Sequence, residues 1–317
     1  PTDPIRFSHE DLLEREASIG RSTFALQFML DTTLSDADKY PLRLGDLVVM
    51  DLDKERGPVE LAWGAAPELI WKDLPNVGLA GDRLYGPLFL NRDVFEPYQG
   101  KVMAIDPAGR GTDEVGYAIV AYLYGRLFLL DAGGLRGGYD DRNLEFLARK
   151  AKEFGVNKII TEPNFGDGMF TKLLKPFITR IYPCTVEDTE RSSSQKEARI
   201  IDTLEPVMNQ HRLVVDRGLF QRDYDSTDAY PIEQQSRYRL FYQWTRITRD
   251  RASLAKDDRL DAVAMAVHYW TGQMDRDEKK AKETYEQRLL DKQIEDFMRR
   301  YSKSQGHSRP TWGRRRG

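Results

Sequence analysis

Three aspartates crowd the start of an apolar helical run in the C-terminal third of the chain. In KDDRLDAVAMAVHYW, residues 256–270, Asp257 and Asp258 precede the run and Asp261 lies one turn into it. An aspartate at a helix N-terminus accepts hydrogen bonds from unpaired N–H groups and interacts favourably with the helix dipole. Capping explains one or two of these residues, but it does not explain Asp261, whose neighbours are apolar.

Two further carboxylates lie at the predicted ends of strands. KVMAID predicts a short buried strand that ends at Asp106, and KIITE predicts one that ends at Glu162. A proline follows each residue and holds it in extended geometry. Open α/β sheets place their sites at the carboxyl ends of strands. Asp258 and Asp261, three residues apart, share a helix face, and we expect all four carboxylates to converge.

Converging carboxylates would bind divalent cations. Bringing three or four of them together is unfavourable because of charge repulsion and lost hydration. A divalent cation removes that penalty, and Mg²⁺ prefers oxygen ligands from carboxylates, water and phosphate. Two cations, Mg²⁺ or Mn²⁺, about 3.5–4 Å apart would activate water and stabilise the leaving oxygen in phosphodiester hydrolysis. The pattern alone leaves open that each aspartate caps a helix or lies at a solvated edge.

The elements that must position these residues follow the order β-β-β-α-β-α-β-α-β from residue 101 onward, with a closing helix. The closing helix is the one predicted within residues 256–270. This order predicts an α/β fold in which the first three strands form a meander and the later strands cross over through helices. The segment YRLFYQWTRIT, residues 238–248, is rich in aromatic and β-prone residues and is predicted to be a further strand.

Three regions are predicted from the change in sequence character along the 317 residues. Residues 1–98 have weak periodicity and are predicted to be an N-terminal extension or linker. Residues 99–273 hold the α/β elements. Residues 274–317 are predicted to be a charged helix and a basic, disordered tail, because positions 299–317 carry seven Lys or Arg and no acidic residue.

Composition limits the class of protein. The chain is 40% hydrophobic and 31% charged, and no apolar run approaches the length of a membrane span. A single cysteine, Cys184, excludes an internal disulfide and fits a reducing, intracellular setting. Four scattered histidines and one cysteine disfavour a zinc site. The chain begins with Pro1 rather than Met, so we expect it to be a piece of a longer polypeptide.

A nucleic-acid partner would need basic residues segregated onto one face, because the net charge is only −3. The predicted DNA contacts flank the acidic motifs, and they are Arg110, Lys172, Arg246, Arg249, Lys256 and Arg259. Tyr242 and Trp244 lie among them and would line the same groove. Two alternatives remain open: Arg110 is a solvated turn residue, and Phe241 is a core residue on one side of the predicted strand.

The glycines after Asp106 allow one other interpretation. GRGTDEVG, residues 109–116, would suit a phosphate-holding loop like that of actin-like sugar kinases. That architecture needs two such domains, and this chain has room for one. A tight turn between two strands is the preferred interpretation.

Several stretches together resemble a known family. AIDPAGRGTDEVGYAIV, TEPNFGDGMF and KDDRLDAVAMAVHYW resemble the nuclease domain of the phage terminase large subunit, in particular the DNA maturase of T-seven-like podoviruses. The resemblance extends from residue 1 to about residue 270. It implies an RNase H-like (RuvC-like) mixed sheet flanked by helices. It also implies a metal-dependent endonuclease that cuts concatemeric double-stranded DNA into genome-length units with two divalent cations.

The family's site residues map onto this sequence by motif. Asp106 corresponds to the first-strand aspartate that bridges both metals, Glu162 to the second acidic ligand and Asp261 to the third. Asp258 is the neighbouring acid in the same motif and is also a predicted metal ligand. Lys256 stands where the family often has histidine, so a histidine contribution at that position is absent.

The resemblance also implies partners. The family's ATPase domain would lie upstream, and no GxxxxGK[ST] phosphate-binding motif occurs in this sequence. The other expected partners are double-stranded DNA, the phage portal or procapsid and the terminase small subunit, with no membrane partner. The expected location is the host cytoplasm, transiently at the procapsid portal. A non-enzymatic alternative is a portal or DNA docking module whose carboxylates form salt bridges.

Overall fold

The computed structural model describes residues 8, 11–12, 15, 39–108, 113–163, 168–189 and 194–272. By its internal contacts the chain divides into two units, Pro1–Trp270 and Thr271–Gly317. The architecture below belongs to the first unit. Arg110, the predicted charged helix and the basic tail all lie outside the described residues.

Eleven strands lie in the described part of the chain. They are β1 (Val48–Met50), β2 (Arg56–Pro58), β3 (Leu61–Ala62), β4 (Phe89–Leu90), β5 (Phe95–Pro97), β6 (Gly100–Asp106), β7 (Val115–Leu123), β8 (Arg126–Leu135), β9 (Lys158–Thr161), β10 (Thr185–Asp188) and β11 (Leu213–Asp216). Two 3₁₀ turns lie at Leu44–Asp46 and Pro67–Leu69.

Seven of these strands form a mixed sheet in the order β1-β11-β8-β7-β6-β9-β10. The strands β6, β7 and β8 are the predicted meander, and β7 runs antiparallel to both neighbours. The other strands all pair in parallel, so their carboxyl ends lie along one edge of the sheet. Every residue of β7 is buried, as expected for a strand covered on both faces.

Helices cover both faces of the sheet. They are α1 (Asp141–Phe154), α2 (Met169–Ile181), α3 (Lys196–Asn209), α4 (Arg217–Asp225), α5 (Ile232–Tyr238), α6 (Leu240–Arg246) and α7 over residues 258–272. The apolar stripe of α1 packs into the main core with residues of β6 and β8. As predicted, α1 ends at Gly155, which adopts the left-handed conformation with φ 61°.

The closing helix α7 lies directly against β6 and β7. The indole Nε1 of Trp270 donates to the carbonyl of Val120 at 3.0 Å, and the Trp270 ring stacks on Tyr122 with centroids 5.3 Å apart. A side chain on Gly100 would collide with the Trp270 ring, because a Cβ there would lie 2.6 Å from Cη2. This packing holds the acidic start of α7 beside the strand that ends in Asp106.

The predicted strand over 238–248 is wrong, because the segment forms the end of α5 and all of α6. The Asp223 carboxylate accepts hydrogen bonds from the backbone N–H groups of Leu240, at 2.8 Å, and Phe241, at 3.3 Å. This caps a helix, and Leu240, Phe241 and Trp244 are buried at helical spacing. The Phe241 ring stacks on Phe220 at 3.9 Å. Tertiary packing therefore overrides the β-propensity of these aromatic residues.

The prediction that residues 1–98 are an extension needs one correction. The strand β1 pairs in parallel with β11 and forms one edge of the central sheet. The same region adds two small antiparallel pairs, β2–β5 and β3–β4. Among the described residues, no helix is long and apolar enough to cross a membrane.

Candidate metal centre

Neighbouring parallel strands bring the first two carboxylates together. The register of β6 and β9 pairs Ile105 with Thr161, so Asp106 and Glu162 are the next residues along the two strands. The backbone N–H of Glu162 donates to the carbonyl of Ile105 at 3.3 Å. Asp261 approaches from α7. These are the three residues that the sequence predicts as catalytic, and the structure brings them into one cluster.

The cluster has the size and composition of a metal site. Asp106, Glu162 and Asp261 each offer one carboxylate oxygen, and these oxygens lie within 4.8 Å of one another. Two oxygens on opposite sides of Mg²⁺ are about 4.2 Å apart, twice the usual bond length, so the residues need to close only slightly. All three are buried, with exposed fractions of 8%, 9% and 0%.

Two basic side chains from the first turn of α3 lie among these acids. The Nζ of Lys196 lies 3.0 Å from Asp261, 3.0 Å from Asp257 and 3.5 Å from Asp106. Arg199 donates from Nη2 to both Asp261 oxygens, at 3.0 and 3.1 Å, and from Nη1 to Glu162 at 3.3 Å. In this structure two cations therefore partly neutralise the three carboxylates.

The directions of the pKa shifts show that charges in this cluster interact strongly. Burial raises the pKa of Asp106 well above its ordinary value; the Lys196 ammonium opposes the shift, and the carboxylate of Asp261 adds to it. Burial alone would lower the pKa of Lys196, but the surrounding carboxylates outweigh it and the pKa is raised. Arg199 behaves in the same way because of Asp261 and Glu162. A divalent cation would satisfy the same carboxylates, so the donor set fits Mg²⁺ or Mn²⁺.

The sequence prediction did not identify Lys196 and Arg199. Their spacing of three residues places both on one face of α3. They also lie in the first turn of the helix, where positive charge interacts unfavourably with the helix dipole. Two basic residues at such a position are a signal that acidic partners lie nearby, and this signal could have found them.

A glycine on β7 allows α7 to approach Asp106. Gly116 pairs with Asp106 across the antiparallel register. A Cβ on Gly116 would lie 2.1 Å from the backbone carbonyl oxygen of Asp258, a distance that real Cβ atoms do not reach. The start of the metal helix is therefore packed against backbone, and any larger residue at 116 would displace it.

The structure places Asp258 next to the three-residue cluster without adding its oxygens to it. Its Oδ2 accepts a hydrogen bond from the backbone N–H of Glu114 at 3.4 Å. Its charge acts on Asp106 and raises the pKa of that residue. A direct metal contact from Asp258 stays a prediction.

The Asp258 carboxyl is expected to make the metal-free protein less stable as pH rises. Burial raises its pKa to about 6, with Lys196 opposing and Asp257 adding to the shift. Unfolded aspartate titrates near 3.9. The folded state therefore binds this proton more tightly, and the resulting stability, present below about pH 4, is lost as pH rises to about 6.

Asp258→Asn removes that titration, so thermal unfolding in EDTA is expected to show a pH-dependent advantage of the variant over wild type. The advantage should grow between pH 4 and 6 and then level off, with an upper limit of about 3 kcal/mol at 1.36 kcal/mol per pKa unit. Asp93→Asn, at an exposed turn residue, serves as the control and should give a flat difference. A flat difference for Asp258→Asn as well would contradict the expectation.

The structure contradicts some of the predicted DNA contacts and leaves the others untested. The prediction that Arg259 contacts DNA is wrong, because its side chain is fully buried and pairs with Glu114 and Asp223. The prediction that Trp244 lines a DNA-binding groove is also wrong, because this side chain is fully buried in the core. Arg246 donates to backbone carbonyls of the 77–78 loop and is half-buried.

The remaining predicted contacts differ in their exposure to solvent. Lys256 pairs with Asp113, and its side chain is 11% exposed. Arg249 is exposed and pairs with Asp202 and Glu205. Lys172 is exposed on the first turn of α2, which follows the strand that leads to Glu162. DNA contact by these three residues stays a prediction.

Comparisons of sequence match this chain to phage terminases. Residues 105–213 match the family model described as the ribonuclease H-like domain of the bacteriophage T7 terminase. The chain is 42% identical over 307 residues to the terminase large subunit of Enterobacteria phage T3, covering 97% of this chain and 51% of that protein. The chain thus spans about half the length of this curated relative.

Solved structures with a similar fold include three viral nuclease domains. The human cytomegalovirus terminase nuclease domain is 15% identical, with a TM-score of 0.37 over 54% of this chain and 84% of that one. The nuclease domain of the large terminase subunit of bacterial virus Sf6 is 15% identical, with a TM-score of 0.36 over 54% and 89%. The large terminase nuclease of thermophilic phage G20c, solved with bound magnesium, is 13% identical, with a TM-score of 0.39 over 71% and 94%.

Proposed function

This chain belongs to the family of phage terminase large subunits and carries their ribonuclease H-like nuclease domain, and from this premise we propose that it is a metal-dependent endodeoxyribonuclease. The single observation that carries the proposal is the buried triad of Asp106, Glu162 and Asp261, whose oxygens lie within 4.8 Å of one another. A buried acidic triad in which the pKa of Asp106 is raised is unfavourable for folding and is typical of a functional site.

The acidic and basic residues of the metal centre have different proposed roles. Asp106, Glu162 and Asp261 hold two divalent cations, with Asp258 as a further ligand or neighbour. When bound, the cations supply Lewis-acid activation of water and stabilise the departing 3′ oxygen. Lys196 and Arg199 balance the carboxylates before the metal arrives and present positive charge toward an incoming phosphodiester. The backbone of β6 and β9 fixes Asp106 and Glu162 at adjacent strand ends.

The substrate that we propose is concatemeric double-stranded DNA, cut into genome-length units during packaging. Lys172, exposed on α2, is a proposed phosphate contact. The proposed partners are an ATPase domain in the remaining half of the T3-like polypeptide, a portal or procapsid and a terminase small subunit. The proposed location is the host cytoplasm, transiently at the procapsid portal.

Plasmid cleavage tests the proposal. The full chain is expected to nick and linearise supercoiled DNA in Mg²⁺ or Mn²⁺ and to leave it intact in EDTA. Glu162→Gln is expected to slow cleavage by about 10²–10³-fold, because a charge that stabilises the transition state is lost. Glu205→Gln, on the surface of α3 and paired with Arg249, is the matched control and should cut at the wild-type rate. Cleavage that persists in EDTA, or in Glu162→Gln, would contradict the mechanism.

A docking module is the second candidate function, and one observation favours it. The acidic triad already forms salt bridges with Lys196 and Arg199 within the chain. In that case the carboxylates would only organise a surface for a portal or DNA. The plasmid assay separates the two functions: a docking module cuts nothing with any metal, and Glu162→Gln would weaken portal binding instead.

A further inference from the structure

A buried arginine on the metal helix links it to the start of β7. Arg259 lies between Asp258 and Asp261, and its side chain is fully buried. Burying a guanidinium is unfavourable unless its N–H groups find acceptors. Its Nε donates to Oε2 of Glu114 at 2.8 Å, and its Nη2 donates to Oε1 of the same carboxylate at 3.0 Å. This bidentate pair fixes both distance and angle between the two elements.

The same guanidinium also holds the helices on the other side of α7. Its Nη1 donates to Oδ1 of Asp223 at 2.9 Å and to Oγ of Ser226 at 2.7 Å. The Asp223 carboxylate in turn caps α6 through the backbone N–H groups of Leu240 and Phe241. Arg259 therefore links α7 to α4 and α6 as well as to the segment before β7.

The surroundings of Glu114 fit this pair closely. The hydroxyl of Tyr230 donates to Oε1 of Glu114 at 2.6 Å and fixes the carboxylate further. Gly134 on β8 leaves the space that the pair fills, because a Cβ there would lie 1.9 Å from Oε2 of Glu114 and 2.8 Å from Nε of Arg259. The backbone N–H of Glu114 also donates to Asp258 at 3.4 Å. The start of α7 is thus bound to this segment through backbone and side chain together.

We infer that Glu114 and Arg259 are positioning residues for the metal centre: they set the rotation of α7 and, through it, the place of Asp261 relative to Asp106. The inference rests on the proposed function. Residues two apart on a helix point about 200° apart, so Arg259 holds α7 on the side opposite Asp261. A rotation of about 10° would move a carboxylate about 6 Å from the axis by about 1 Å. That is enough to disorganise a site that needs placement within about 0.5 Å.

Metal binding by the full chain tests the inference without requiring DNA cleavage. Mn²⁺ binding is measured by calorimetry, and thermal unfolding in EDTA is measured in parallel. Arg259→Lys keeps the charge but loses the planar fork that reaches Glu114 and Asp223 together. It is expected to raise the half-saturating Mn²⁺ concentration about 10–100-fold, the usual effect of losing a residue that orients a metal ligand. Glu114→Gln, which keeps the shape and one hydrogen bond, is expected to shift it in the same direction by less.

Arg239→Lys is the matched control. Arg239 is also buried, and it donates to Thr227 in the turn after α4 and to Gln235 on α5 rather than to α7 or β7. Its replacement is expected to lower the melting temperature and to leave the Mn²⁺ midpoint within about twofold of wild type. A purely structural role for Arg259 would give that same pattern, since the metal midpoint is a property of the molecules that remain folded.

The outcomes are distinguishable. Mn²⁺ midpoints of Arg259→Lys and Glu114→Gln equal to wild type would overturn the inference and leave the nuclease proposal intact. If wild type binds Mn²⁺ but never cuts DNA, and both variants have raised Mn²⁺ midpoints, the nuclease proposal is overturned and the positioning role is supported. Wild type that binds no Mn²⁺ would overturn both. If neither variant folds, Glu114 and Arg259 stabilise the fold without a separate role at the metal centre, and the inference is overturned.

Discussion

Asp106→Asn is expected to abolish metal-dependent DNA cleavage and, at the same time, to raise the melting temperature of the protein in EDTA. The first effect should be about 10³-fold or more, because Asp106 is a proposed metal ligand at the end of β6 and loses its charge. The second effect follows from burial. The carboxyl is 8% exposed and lies in one cluster with Glu162 and Asp261, so its ionised form is held at a penalty.

The sign of the stability effect follows from the pKa. Burial and the neighbouring carboxylates raise the pKa of Asp106 well above that of an unfolded aspartate, although Lys196 opposes them. A carboxyl with a raised folded pKa favours folding only while it is protonated, and its contribution is lost as pH rises through the folded pKa. Asparagine has nearly the same shape and stays neutral at every pH. The variant should therefore gain most over wild type at alkaline pH.

Adding Mg²⁺ should reverse the order of stabilities. A ligand that binds only the folded state stabilises it, and wild type is expected to bind the cation more tightly than Asp106→Asn. Asp202→Asn, an exposed residue paired with Arg249, is the control and should change neither cleavage nor the Mg²⁺ response. Cleavage by Asp106→Asn, or a melting temperature in EDTA below that of wild type, would contradict the assignment.

The parts of the fold that depend on local sequence could be predicted. The strand KVMAID and the helix that ends at Gly155 carry their own signals: an apolar run in one case and a helical stripe with a terminating glycine in the other. Proline after Asp106 and after Glu162 marked both strand ends. The convergence of Asp106, Glu162 and Asp261 was predicted because parallel strand ends share an edge.

The parts that depend on distant partners could not be predicted from local sequence. Nothing near Arg259 in the sequence marks it as buried, because its acceptor Glu114 is 145 residues away. An arginine between acidic residues resembles a surface contact for DNA until that partner is known. The position of Lys196 and Arg199 in the first turn of α3 signals acidic partners but does not identify them, since the acids come from β6, β9 and α7.

The segment over 240–246 shows a different limit. Its aromatic residues favour a strand in isolation. The helix forms because the Asp223 carboxylate caps Leu240 and Phe241, and because a buried surface accepts Trp244 one turn later. Asp223 also receives Arg259, so the helix and the metal helix share one carboxylate. Local propensity contains none of this information.

Arg199→Met is expected to destabilise the metal-free protein by about 3 kcal/mol and to have a much smaller effect in saturating Mg²⁺. Arg199 donates to both oxygens of Asp261, whose side chain is 0% exposed. Removing one partner of a buried pair leaves an uncompensated charge, which typically costs about 3–5 kcal/mol. The lower end applies here, because Arg199 is 25% exposed and Lys196 also contacts Asp261. A bound cation would compensate the same carboxylate.

Chemical unfolding in EDTA and in Mg²⁺ measures the difference, and two further variants define its origin. Arg249→Met removes an exposed arginine that also pairs with two acids, Asp202 and Glu205, and should cost at most about 1 kcal/mol with no Mg²⁺ dependence. In an Asp261→Asn background the effect of Arg199→Met should shrink, since the charge it compensates is gone. Equal losses with and without Mg²⁺, or an undiminished loss beside Asp261→Asn, would show that Arg199 stabilises the fold by packing rather than by occupying the position of a cation.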